Sequence, residues 1–97
     1  MYTHNYDFSY FDNIVNSMVA QYQKLPLHNL QCHQRKESSM ISKQTNWFVQ
    51  ALHNQLSSHY LKKILHACIR TLLSYGNTPK QAVDNLIVFI NDRLGLI

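Results

Sequence analysis

LKKILHACIRTLLSYGNTPKQAVDNLIVFINDRL, residues 61–94, is the most informative part of the chain. Leu61, Ile64, Leu65, Cys68, Ile69 and Leu72 recur at helical spacing, and so do Val83, Leu86, Ile87, Ile90 and Leu94. Between the two runs lies Tyr75-Gly76-Asn77, where Gly76 suits the left-handed position that ends a helix. Thr78-Pro79-Lys80-Gln81 then reads as a capping box. Thr78 accepts from the Gln81 amide, Gln81 reaches back to the Thr78 amide, and Pro79 takes the first helical position, where it needs no N–H. The spacing predicts helices over 59–75 and 79–94, a C-terminal helical hairpin about Gly76. Val88 and Phe89 fall off the main stripe, which implies extra cover or an oligomer contact.

Upstream, Phe48, Leu52 and Leu56 share one face, flanked by Val49, Ala51 and Tyr60. That face points nearly opposite to the one beginning at Leu61, so a break near Ser57-Ser58 is expected, with a helix over 46–57 capped by Thr45 or Asn46. Phe11, Ile14, Val15, Met18, Val19 and Tyr22 form a further stripe, predicting a helix over about 10–24 that Ser9 or Asp7 caps and Pro26 stops. Residues 1–9 read as an irregular lead-in. The segment 26–44 sustains no stripe and is expected to be a loop or to hold a short helix within 27–40. The whole is a single helical domain, an all-α bundle of four or five helices. Its expected core is Phe11, Ile14, Val15, Met18, Phe48, Leu52, Leu61, Ile64, Leu65, Cys68, Leu72, Val83, Leu86, Ile87 and Ile90.

Two glycines and two prolines in 97 residues disfavour a many-turned β-sandwich. No window approaches a membrane span, and Met1 to Asp7 lacks the pattern of a secretory leader. Cys32 and Cys68 are read as free thiols, and a cytoplasmic location is expected. The formal charge of +4 is unevenly spread. Residues 1–23 carry Asp7 and Asp12 without a Lys or Arg, whereas 24–75 carry Lys24, Arg35, Lys36, Lys43, Lys62, Lys63 and Arg70 against Glu37 alone. A basic middle permits contact with nucleic acid or an acidic protein surface.

His59, Lys63, His66 and Arg70 lie at i, i+4, i+7 and i+11, opposite the apolar face of their helix, with Lys62 beside them and Tyr60 at one edge. Such a row suits a phosphate backbone or an acidic partner, although a solvated face has the same pattern. The hairpin about Gly76 makes a poor DNA reader, because Leu72 and Asn77 do not fit the common pattern around the turn glycine and the second helix carries the apolar run Leu86 to Ile90. His28, Cys32 and His33 form half of a metal motif only, so no metal or cofactor is expected. Cys68 sits on an apolar face, Cys32 has no nearby acid to complete a catalytic set, and no Gly-rich phosphate loop exists, so the chain is not expected to be an enzyme. Tyr2, Tyr6, Phe8, Tyr10 and Phe11 crowd the N-terminus, either packing over one end of the bundle or forming a partner hot spot.

Leu56-Ser57-Ser58-His59-Tyr60-Leu61 is loosely similar to a segment of some bacteriocin immunity proteins, six residues of common types that assign no family. The expected function is that of a small non-enzymatic interaction protein, a regulator or inhibitor of the phage, mobile-element or immunity type. It would bind a protein or protein complex through Arg35, Lys36, His59, Lys62, Lys63, His66 and Arg70. The alternative is a small nucleic-acid-binding transcriptional regulator using the same Lys/Arg/His face. A homodimer through the C-terminal helix is a third expectation.

Overall fold

The computed structural model describes residues 6–26, 30, 32–33, 35–36 and 38–96. Four α-helices, α1 (Phe8–Gln23), α2 (Met40–His53), α3 (Ser58–Ser74) and α4 (Pro79–Arg93), surround one apolar core. This is the all-α bundle that the periodicity predicts. α3 packs against each of the other three helices, and α2 also meets α4.

Local chemistry accounts for the N-terminus of every helix and for the C-termini of three. Asp7 accepts from the Tyr10 amide, Ser39 from Ser42, Ser57 from Tyr60 and Thr78 from Gln81, so each N-terminus has an oxygen cap. The capping box at Thr78 is complete, with Gln81 Oε1 2.9 Å from the Thr78 amide. Three helices close with the same C-terminal motif. Leu56 N–H reaches Ala51 O, Asn77 N–H reaches Leu72 O and Leu96 N–H reaches Asn91 O, across a left-handed residue in each case. Gly76 (φ 97°) and Gly95 (φ 73°) adopt that conformation without a Cβ penalty, whereas Gln55 (φ 57°) does so with one.

The core holds Phe11, Val15, Met18, Phe48, Leu52, Leu61, Leu65, Cys68, Leu72, Leu86 and Ile90 as expected. Ile14, Ile64, Val83 and Ile87 pack against it half-buried. Val19, Tyr22, Ile41, Val49, Ala51, Ile69, Ala82 and Leu94 join it. Tyr22 also spans to α4, its hydroxyl donating to Asn91 Oδ1 at 2.7 Å. Burial pushes that phenol up to about 12, so it remains a donor across the physiological range.

The start of α2 corrects the sequence reading. The helix begins at Met40, not Asn46, and Thr45 and Asn46 lie buried inside it. Ser39 is the cap, Ile41 is buried one turn before Thr45, and the Thr45 hydroxyl bonds back to Ile41 O at 2.7 Å. Polar residues at 42–46 hid that extra turn. The short helix expected within 27–40 is not found among the described residues of that segment; positions 27–29, 31, 34 and 37 lie outside them.

Candidate functional site

The basic row on α3 divides into two halves in the folded chain. His66 is not on the solvated face; it is 7% exposed and belongs to the core side of α3. Tyr6 covers it, with the phenol 2.9 Å from His66 Nδ1, and Asp12 Oδ1 lies 3.7 Å from Nε2. This places the imidazole proton on Nε2, facing the carboxylate, while Nδ1 accepts from Tyr6. Desolvation lowers the His66 pKa below its ordinary value, and Lys62 and Arg70 push the same way against Asp12. Arg70 remains exposed, and its guanidinium lies over the Tyr6 ring at 5.9 Å from the centroid. The Tyr6 ring stacks on Phe11 and meets Phe8 edge-on, so part of the aromatic N-terminus packs over α1 and α3. Tyr2 lies outside the described residues.

Arg35 and Lys36 sit far from that row in role as well as in sequence. Arg35 makes a two-pronged pair with Asp92 on α4, Nε to Oδ2 and Nη2 to Oδ1, both at 2.8 Å. The main chain here is tied down too. Asn46 Nδ2 donates to Arg35 O at 3.0 Å, and His33 N–H donates to Arg93 O at 2.7 Å. Arg93, only 5% exposed, completes the junction by donating to Asn46 Oδ1 (2.7 Å), Phe89 O (3.1 Å) and Ser42 Oγ (3.1 Å). Arg35 thus fastens the α1–α2 connection to α4 through its carboxylate pair.

Beside the rest of the row, α3 contributes Tyr60 to a groove that the charge pattern alone did not reveal. Trp47, Gln50, Ala51 and Asn54 follow at i, i+3, i+4 and i+7 along α2, and Leu56 and Tyr60 face them across the α2–α3 turn. They enclose an open groove of about 370 Å³. Trp47 is 54% exposed, Tyr60 49% and Leu56 41%, an apolar cluster on the outside of the bundle. Lys43 lies one turn before Trp47, and Lys63 three residues beyond Tyr60. Neither α2 nor α3 contains an Asp or Glu, so this hairpin has no acid of its own to neutralise Lys43, Lys62 and Lys63.

Cys68 is buried and desolvation pushes its thiol up to about 12, whereas Cys32 is exposed. Among the described residues no three His, Cys, Asp or Glu side chains come together as a metal site; His28 lies outside them. No helix among them is long and apolar enough to cross a membrane. On α4, Val88 is 52% exposed while Phe89 packs partly against the core. Comparison with protein-family models, with curated proteins and with solved structures yields no match for this chain.

Proposed function

We propose that this chain is a small non-enzymatic docking protein, a regulator or inhibitor that grips an acidic protein surface with the face built by α2 and α3. The observation that carries this reading is the exposed Trp47–Leu56–Tyr60 cluster on a hairpin rich in lysine and free of carboxylates. Aromatic anchors that stay half-exposed in the free protein supply the desolvated centre of an interface. Lys43, one turn before Trp47, and Lys63, three residues beyond Tyr60, supply steering and select an acidic rim on the partner, with His59 and Lys62 adding to the charge of the same hairpin.

The rival reading is a nucleic-acid regulator, in which Trp47 and Tyr60 stack on unpaired bases and the lysines follow the phosphates. Few cations are available for that role, because His66 is buried, Arg35 is paired with Asp92 and Arg70 lies over Tyr6. That weighs towards a protein partner.

The test is selection of a random peptide library against the protein and against its Trp47→Ala/Tyr60→Ala variant. Acidic peptides with apolar anchors, enriched on the wild type and lost on the variant, are the expected result. Trp47, the one tryptophan of the chain, reports their binding directly by fluorescence. Enrichment that ignores acidic residues, or that survives the double substitution, refutes the reading. Tight binding of single-stranded oligonucleotide that weakens steeply with salt transfers the face to the rival.

A further inference from the structure

A second concavity, of about 360 Å³, opens where Arg35, Lys36, Ser38 and Ser39 meet the first turn of α2 and the last turns of α4. Among the described residues its charges are unbalanced: Arg35, Lys36 and Arg93 line it against one carboxylate, Asp92, and both Asp92 oxygens are taken by Arg35. Glu37, the other acid of this segment, lies outside the described residues.

Arg93 makes the imbalance consequential. It is 5% exposed, yet among the described residues its hydrogen bonds run to neutral oxygens of Asn46, Phe89 and Ser42. A guanidinium removed from water and bonded to neutral groups is where a ligand anion is most favoured, since most of the desolvation has already been met by the fold. Those three bonds engage three of its five N–H groups. Around it, α2 presents the positive end of its dipole at Ser39 and Ser42, whose hydroxyls line the same space.

The cavity is much larger than a bare oxyanion needs, and part of its wall is apolar, from Ile41 and Phe89. We propose that this cavity binds the dianionic head of a small organic phosphate monoester, with the ester's apolar body against Phe89 and Ile41. The phosphate oxygens would meet Arg93, Lys36 and the Ser39 hydroxyl, several donors for the several acceptors of one anion, while the Ser42 hydroxyl stays with Lys36 O, to which it donates at 3.1 Å. This site is separate from the α2–α3 groove and does not depend on the docking role.

The experiment is titration of the protein with phenyl phosphate, read by amide chemical-shift changes and by thermal denaturation, with inorganic phosphate and phenol as the two halves of the probe. Saturable binding with a Kd of about 1 mM or tighter is expected for phenyl phosphate. Shifts should centre on Ser42, Phe89 and the Arg93 side chain, and inorganic phosphate should bind at least fivefold more weakly. Lys36→Glu, on an exposed side chain, should weaken phenyl phosphate tenfold or more, whereas Lys63→Glu, with the same net charge, should not. Equal loss in both variants, or shifts confined to the Trp47 groove, overturns the assignment. So does inorganic phosphate binding as tightly as the ester, since the apolar wall then contributes nothing.

Discussion

Replacing Asn46 by alanine should be among the most damaging single changes in this protein, although Asn46 touches neither proposed binding site as a ligand contact. Its side chain is 2% exposed and joins three parts of the chain. Oδ1 accepts from Arg93 Nε at 2.7 Å, and Nδ2 donates to Arg35 O at 3.0 Å. The Arg35 amide approaches the same oxygen at 3.4 Å, too long to add much. A hydrogen bond to a charged donor contributes about 1.5–3 kcal/mol and a neutral one about 1 kcal/mol, so the loss comes to about 3 kcal/mol. Part of that is the cost of leaving Arg93 Nε buried without its acceptor. Against the roughly 5–15 kcal/mol typical of a domain this size, the variant should remain folded but lose roughly 12–24 °C of thermal stability. Urea denaturation followed by circular dichroism measures the loss, and faster amide exchange at His33, whose N–H bonds Arg93 O, localises it. Because an orphaned partner is what costs most, Asn46→Leu/Arg93→Met should be less destabilised than the sum of the two single variants. A single-variant loss below about 1 kcal/mol, or full additivity, would refute the view of Asn46 and Arg93 as one unit.

Other consequences follow from particular positions. Gln55→Gly should stabilise by about 0.5–1 kcal/mol, relieving a left-handed residue at the net of glycine's greater unfolded freedom, and a higher urea midpoint would register it. Gly76→Ala should cost about 1–2 kcal/mol from backbone strain alone, since a Cβ there meets nothing within 4 Å. Because burial lowers His66's folded-state pKa, the unfolded chain binds the proton more readily; stability should be complete above about pH 6.5 and decline as pH falls below it. A urea midpoint that rises on acidification from pH 7.5 to 5.5 would contradict this, and His66→Asn should flatten that part of the profile. Thiol titration of the native protein should modify Cys32 promptly and Cys68 only on unfolding; two fast thiols would place Cys68 wrongly.

The capping box at Thr78, Asp7 as one of two candidate caps of α1, the break near Ser57, the hairpin about Gly76 and the stripes of α1, α3 and α4 were legible in the sequence because each depends on neighbours within a turn or two. A serine ahead of an apolar run, or a glycine after one, carries its own backbone consequence wherever the helix later packs. The true start of α2 was harder, since Thr45 and Asn46 are polar and read as boundary residues, yet one bonds back to its own helix and the other to Arg35 and Arg93. The exposed cluster was half legible. Tyr60 stood out beside the lysines, whereas Trp47, one position from buried Phe48, needed the α2–α3 turn to bring Leu56 and Tyr60 opposite it.

Which cations the fold engages was decided by tertiary structure alone. His66, Arg35 and Arg93 have the same local signature as Lys63, a basic side chain on or near a helix. Tyr6 and Asp12 come from 54 or more residues away to cover the first, and Asp92 and Asn46 from other elements to hold the second and third. Periodicity ranks positions by the face they occupy on their own helix. Whether a charge on that face is spent on the fold or left for a partner depends on which side chain the rest of the chain brings across from it.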